Sequence, residues 1–454
     1  MKERSIKPLL VSYNKSMKDT MRVIDKTGLN VAFVVDKKGK LIGAISDGDI
    51  RRAILRGIAI DTQVKEVMNR DPIVIKESEL KNRNLVRQRI KKLHSRMRDA
   101  PYIPVVSDKY KPLKLFSCKH LLQIKLRGPS AHKSVRKVLV VGGAGFLGSV
   151  LVRKLLQRGY EVRVLDILLY GSDSISSFMR KKGFEFIKGD MRNISTLVKS
   201  LRGVDAVVNL AAIVGDPACS NKPGDTVETN YLANKVLADA CKYHQINRFI
   251  FASTCSVYGV ATDKLNESSL LRPVSLYARS KIQSEEGILS LEDENFSPTI
   301  FRMATLYGLS PRMRFDLVVN IMVKDAVVNK KIVVTGGGNQ WRPFLSLEDA
   351  AEAYIKCLEA PIEKVKGEIF NVGDDAQNYR IKDIANIVKR HIPEARIIYR
   401  GKTIDKRNYI VSFEKIKQVL GFKAKYSIDK SIEDIKEAIL SGKIKNVNDR
   451  KYYN

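Results

Sequence analysis

Short aliphatic runs separated by longer amphipathic stretches set the plan of this chain. In the first part the runs come in pairs. Residues 17–25 predict a short helix, Val31-Ala-Phe-Val-Val35 a strand, and Asp36-Lys-Lys-Gly39 a turn. Leu41-Ile-Gly-Ala-Ile45 then predicts a second strand, running into Ser46-Asp-Gly-Asp49-Ile-Arg-Arg and another helix. The order recurs as Val67-Met-Asn-Arg-Asp-Pro-Ile-Val-Ile, a basic helix, Tyr102-Ile-Pro-Val-Val106, and residues 113–116. An internal repeat of this kind predicts two copies of one strand-and-helix unit over residues 1–126. Arg127-Gly-Pro-Ser-Ala-His-Lys133 breaks the periodicity and predicts a linker over 127–135.

From residue 136 to the end the pattern becomes a steady alternation of strand and helix. Val138 to Val141 form a run suited to a strand buried on both faces. Glycines at 142, 145 and 148 follow, letting backbone approach a pyrophosphate closely. A helix opening at Phe146 and Leu147 points its positive end at the same anion. Val150, Leu151, Leu155 and Leu156 give that helix an inward face, and Gly159 ends it. Glu161-Val-Arg-Val-Leu-Asp166 then delivers a carboxylate about where the adenosine ribose hydroxyls lie. Strand, turn, helix, strand and acid in register predict dinucleotide binding.

Three further strands follow. Phe184-Glu-Phe-Ile-Lys-Gly-Asp190 ends on an acid and Met191, a pair suited to bonding and covering an adenine. Ala206-Val-Val-Asn-Leu-Ala-Ala212 carries small residues at its carboxyl end, and Arg248-Phe-Ile-Phe-Ala-Ser-Thr254 is the third. Successive βα units predict a doubly wound parallel sheet with ligands beyond the strand carboxyl ends.

At 454 residues the chain exceeds one ordinary core and predicts two or three domains. Its 44% hydrophobic and 29% charged content is that of a soluble globular protein. No stretch has signal-peptide or membrane-spanning character. Cysteines at 118, 219, 241, 255 and 357 are scattered, without metal-ligand spacing, so the expectation is reduced thiols in a cytoplasm and no metal site. The net charge of +32 raises the question of a nucleic-acid partner. The basic residues are spread along the chain, few aromatics interleave with them, and the densest run, 81–98, carries Leu85, Ile90, Leu93 and Met97 near one helical face. A solvated basic surface, helped by anionic substrates, is the better reading, and nucleic acid and membrane are set aside as partners.

The chemistry centres on Thr254 and Tyr277-Ala-Arg-Ser-Lys281. Tyr and Lys four apart share a helical face. An ammonium beside a phenol favours the phenolate, which makes Tyr277 an acid or base near neutral pH. Thr254, at the preceding strand end, is placed to hydrogen-bond the reacting oxygen.

These residues resemble the extended short-chain dehydrogenase/reductases of the nucleotide-sugar epimerase/dehydratase family over residues 136 to about 440. The resemblance implies a Rossmann half binding NAD and a smaller C-terminal lobe binding a nucleotide sugar. It implies Thr254, Tyr277 and Lys281 as the catalytic triad. Gly142, Gly145, Phe146, Leu147, Gly148, Asp166, Asp190, Met191, Leu210, Ala211, Ala212 and Asn230 would then line the cofactor with Tyr277 and Lys281, and Asn209 would lie beside it. Gly336-Gly-Gly-Asn-Gln-Trp-Arg342-Pro-Phe-Leu matches the strand whose Arg grips the diphosphate, and Arg407 offers a second phosphate contact. Asp166 implies NAD over NADP, since an acid there repels a 2′-phosphate.

Residues 6–126 resemble a pair of CBS domains, β-α-β-β-α modules that often bind adenine nucleotides and regulate an attached enzyme. Ser46-x-x-Asp49 matches their ribose- and phosphate-binding pattern, and the second copy has Ser117-Cys-Lys-His120 instead. One nucleotide site is expected; a pair that only mediates dimer contacts is the alternative.

Three departures bear on the reaction. Val141 replaces the hydroxyl residue that opens the fingerprint. Thr305, among the residues expected at the substrate, stands where the family commonly has Asn. Cys255 and Ser256 follow Thr254 where the 4,6-dehydratases carry an Asp-Glu pair. Elimination therefore lacks its acid and base. The expectation is an NAD-dependent epimerase working through a transient 4-ketosugar. A nucleotide-4-ketosugar reductase is the alternative, and a catalytically silent nucleotide sensor is the rival of another class. The family resemblance implies a homodimer through the helices near 227–243 and 277–289, and CBS pairs dimerise too.

Overall fold

The computed structural model describes residues 3–27, 29, 31–46, 49–50, 53, 56–81, 85–86, 89, 102–117, 135–401 and 407–454. Most of the basic run at 81–98, residues 118–120 and the linker at 127–133 lie outside them. The chain divides into two compact units, Met1–Ala131 and His132–Asn454.

In the first unit the repeat is visible in the backbone. Leu10–Ser12 pairs parallel with Val31–Val35, which pairs antiparallel with Leu41–Ser46. Ile75–Lys76, Tyr102–Val106 and Pro112–Ser117 are arranged in the same way. The two hairpin turns agree bond for bond: Asp36 N–H donates to the Lys40 carbonyl and Ser107 N–H to the Lys111 carbonyl, each at 2.9 Å. Both need one left-handed residue, supplied by Gly39 at φ 71° and by Tyr110 at φ 61°. Glu3–Arg4 pairs with Pro112–Ser117, so the start of the chain completes the second copy's sheet.

The second unit is built on a seven-stranded sheet in the order Phe184–Lys188, Glu161–Asp166, Lys137–Val141, Ala206–Asn209, Arg248–Thr254, Ser297–Met303 and Ile369–Val372. All of its pairings are parallel. Period-two alternation sends Leu139, Val141, Val207, Phe249 and Phe251 to one face, against Leu197 and Leu237. Val138, Val140, Val208 and Ile250 go to the other, against Val150 and Leu151. Strand order reverses between Lys137–Val141 and Ala206–Asn209, which opens a crevice beyond their carboxyl ends. This is the doubly wound sheet the βα alternation predicts.

The smaller lobe is assembled from short pieces. Thr305–Tyr307, Trp341–Ser346 and Asn378–Arg380 form one sheet; Val260–Leu265 pairs with Asn408–Val411, and Lys331–Thr335 with Arg396–Arg400. Helix Leu347–Glu359 lies against helix Phe146–Gln157, with Arg158 bridging Glu352 at 2.8 Å and Glu359 at 3.1 Å. These pairs are exposed and fix the register of the two helices more than they stabilise it. No helix among the described residues is long and apolar enough to cross a membrane, and none of their His, Cys, Asp and Glu gather as a possible metal site.

Candidate active site

The glycine-rich turn is closed so tightly that side chains are excluded. Gly142 has φ 82°, and a Cβ there would stand 2.8 Å from the Ala211 nitrogen. A Cβ on Gly148 would collide with the Gly142 carbonyl. The helix that follows has Gly145 as its N-cap with no side-chain cap, so the N–H groups of its first turn are open to an anion. Asp166 is braced across this turn: one carboxylate oxygen accepts from Ala144 N–H at 3.0 Å, the other from Leu168 N–H at 2.8 Å. Burial pushes its pKa up, and the two N–H bonds pull the other way. The cradle that a Cβ would fill, the uncapped helix start and the ribose-side acid together fit a dinucleotide.

Other expected cofactor residues have different surroundings. Arg192 grips Asp190 with Nε at 2.9 Å and Nη2 at 2.8 Å, and holds its pKa low. Met191 is buried in the core that contains Leu165 and Leu197. Asn209 donates to the Asn234 carboxamide at 2.7 Å and accepts from Ala211 N–H at 3.2 Å. Asn230 sits in a single π-helical turn, Glu228–Leu232, and spends its carboxamide on the backbone of Ile213. Its place is to hold the loop that begins at Leu210, Ala211 and Ala212.

The triad is assembled by two elements. Thr254 ends the strand Arg248–Thr254; Tyr277 and Lys281 stand one turn apart on helix Leu276–Leu289, whose start Ser275 caps by accepting from Ala278 N–H at 3.2 Å. Lys281 is buried, donates to the Ala252 carbonyl at 2.7 Å, and stands 4.6 Å from the Phe251 ring centroid and 5.9 Å from that of Tyr277. Burial pulls its pKa down to about 8. The Tyr277 phenol is pushed up, first by burial and then by Cys219 and Asp216, with Arg314 and the Thr254 hydroxyl opposing. Burial thus disfavours the charged form of both side chains.

Behind the triad lies a buried ion pair. Arg302 Nη2 meets Glu285 at 2.7 Å, both side chains almost fully enclosed. Glu285 also accepts from Ser253, the neighbour of Thr254, and Arg302 Nη1 donates to the Tyr258 hydroxyl at 3.1 Å. Glu285 is one helical turn beyond Lys281.

On the substrate side, Arg342 is buried and donates to the carbonyls of Trp341 and Arg407, each at 2.6 Å, with its guanidinium 5.1 Å from the Tyr409 ring. It thereby places Arg407, whose own guanidinium meets Asp216 at 2.9 Å. Both arginines border the same region, with Arg342 serving the backbone. Thr305 begins the strand paired with Phe344–Ser346, at the edge of this lobe. A cavity of about 530 Å³ is lined by Asp216, Ser220, Val274, Leu276, Arg279 and Arg407. Asp216 and Arg314 went unnoticed in the sequence. Asp216 follows Gly215 at φ 94°, in the turn just after a strand end where ligands gather, and that Gly-Asp-Pro turn was the available signal.

Residues 138–373, more than half of the chain, match the NAD dependent epimerase/dehydratase family. The chain belongs to this family. Residues 4–56 match a CBS domain. The uncharacterized UDP-glucose epimerase YtcB of Bacillus subtilis (strain 168) is 29% identical over 297 residues, covering 63% of this chain and 92% of its own. The dTDP-D-glucose 4,6-dehydratase of Bos taurus is 29% identical over 323 residues, 66% of this chain and 89% of its own. Among solved structures, UDP-glucuronic acid 4-epimerase from Bacillus cereus in complex with UDP-glucuronic acid and NAD superposes with a TM-score of 0.60 at 27% identity, over 67% of this chain and 99% of that one. The protein is an NAD-dependent enzyme of the extended short-chain dehydrogenase/reductase family, carrying a CBS domain at its N-terminus.

Proposed function

We propose that this enzyme inverts a hydroxyl-bearing carbon of a UDP-sugar through a transient 4-ketosugar. The observation that carries the reading is the pair after Thr254. Cys255 is a buried thiol pushed well up by its enclosure and donating to the Arg302 carbonyl at 3.2 Å; Ser256 is a hydroxyl lying 3.4 Å from the Tyr409 hydroxyl. Neither can serve as the acid or base of water elimination. Asp216, the carboxylate near Tyr277, is engaged by Arg407.

NAD bound in the glycine cradle supplies a hydride acceptor and, on return, a hydride donor. Tyr277 takes the proton from the sugar hydroxyl as the carbon gives up its hydride. Thr254 steadies the reacting oxygen, and Lys281 holds positive charge near the phenol oxygen as the proton arrives. The ketosugar turns, takes the hydride back on its other face, and receives the proton from Tyr277. Arg407 faces the diphosphate while keeping its bond to Asp216. A UDP-sugar deuterated at the reacting carbon tests this: the label stays with the product when only catalytic NAD is present. Loss of deuterium to solvent would sink the reading.

The same proposal gives the CBS unit an adenine nucleotide at Ser46 and Asp49. Ser46 N–H and Oγ meet Asp49 Oδ2 at 2.9 and 2.6 Å, and Asp49 N–H returns a bond to Ser46 Oγ at 3.2 Å. This reciprocal box sits where a strand ends and a helix is expected, an apt place for a ribose or phosphate. A homodimer is supported by Val227, Leu232, Val236 and Tyr243, exposed apolar residues along one stretch of helix.

A further inference from the structure

Arg312 is a buried cation with donors to spare. The residue is 5% exposed, and its guanidinium stacks 3.7 Å from the Tyr170 ring centroid. Nη2 donates to the Asn454 carboxamide oxygen, whereas Nε and Nη1 are buried and meet no acceptor. An arginine stays charged at physiological pH, so enclosing it without an anion is strongly unfavourable.

Its surroundings identify the missing anion. Ser310 Oγ donates to the Phe146 carbonyl at 2.8 Å and lies 3.1 Å from Ser149 Oγ; Arg312 N–H donates to Ser310 Oγ at 3.2 Å. The segment carrying Arg312 is therefore pinned to the first turn of the pyrophosphate-binding helix. Tyr170, the stacking partner, belongs to the stretch after Asp166, which Ser174 ties back to the glycine turn through the Ala144 carbonyl at 2.7 Å. Arg312 thus bridges the two walls of the cradle. Asp166 feels this cation, but its oxygens accept from the Ala144 and Leu168 N–H groups. Asp316 is held by Arg314 at 3.0 Å. Burial, with Arg314 close by, pulls the Arg312 pKa down to about 10, an environment that a phosphate would reverse.

We infer that Arg312 is a cofactor-binding residue, with Nε and Nη1 donating to the diphosphate of NAD beside the first turn of the Phe146–Gln157 helix. The inference holds whichever sugar reaction follows.

Calorimetric titration of the full chain with ADP-ribose tests it apart from turnover. Arg312→Gln keeps a planar group on Tyr170 and removes the charge; Arg312→Lys keeps the charge and loses the fork. The expected result for Arg312→Gln is a Kd raised about tenfold or more, with a flatter salt dependence than wild type. Arg312→Lys should lose about threefold and retain the salt dependence. If only the lysine variant folds, that pattern suffices as support. An unchanged Kd in the folded variants, or a raised Kd in the glutamine variant with the wild-type salt dependence, would overturn the contact.

Discussion

Asn230 holds Ile213 by both ends of its carboxamide: Oδ1 accepts from the Ile213 N–H and Nδ2 donates to the Ile213 carbonyl, each at 2.8 Å. The π-helical turn at Glu228–Leu232 aims Asn230 at the loop leaving the fourth strand of the chain's βα series. Asn234 and Ser284 in turn bond the Asn230 carbonyl, tying the clamp to the helix that bears Tyr277. Replacing Asn230 by Ala leaves the part-buried Ile213 N–H without this partner and its carbonyl with the Cys219 thiol at 3.3 Å, so denaturant unfolding should show a loss of about 1–3 kcal/mol. NAD affinity should fall as well. Unchanged stability would mean that the loop finds other partners.

Tyr277→Phe removes the hydroxyl assigned to the proton transfer and little else. Turnover should fall about 10²–10⁴-fold, with NAD binding and melting temperature close to wild type. Residual activity near the wild-type rate would transfer the proton step to another group, with Asp216 the first to examine.

Lys281 gives a pH signature. Its ordinary pKa is 10.5, and the folded chain lowers it to about 8. Between those values the unfolded chain binds more protons than the folded one, so this residue makes stability rise with pH from about 8 towards 10.5. Buried thiols such as Cys357 contribute with the opposite sign above their ordinary value, so the comparison must be between wild type and Lys281→Met. The difference in unfolding free energy should shrink in favour of wild type across that window. A pH-independent difference would place the ammonium in water.

The Glu285–Arg302 pair supports the strand end at Thr254 and the turn below Lys281. Glu285→Gln leaves Arg302 enclosed without a counter-charge, and the expected destabilisation is about 3–5 kcal/mol by urea titration. Substituting both residues by apolar groups should recover part of the loss.

Asp49→Ala tests the CBS unit. If adenine nucleotide binds beside Ser46, calorimetry with ATP or AMP should show binding in wild type that the variant loses, with the sugar reaction intact. Nucleotide binding unaffected by the change would move the ligand elsewhere.

The cradle was legible because it is local. Val138 to Gly148 and Asp166 lie close in sequence, and Tyr277 and Lys281 share one helical face, so spacing alone places them. The order of strand runs in the repeat was equally plain, whereas Tyr110 taking the left-handed place of Gly39 in the second turn was not. Long-range pairing was not. Arg302 and Glu285 meet across a strand and a helix, Arg312 reaches Tyr170 and Asn454, and Asp216 finds Arg407 from the far lobe. Nothing in a linear pattern says that Arg342 bonds backbone carbonyls or that Asn230 grips a loop. Burial, which sequence does not display, is the first cause acting on both Tyr277 and Lys281.

The central claim is inversion without net oxidation or loss of water. Mass spectrometry and NMR on UDP-sugars incubated with the enzyme and catalytic NAD test it most directly. A new stereoisomer of unchanged mass, with no accumulation of NADH, is the expected result. A product lighter by one water, or conversion that stops unless NADH is supplied in stoichiometric amount, would contradict it.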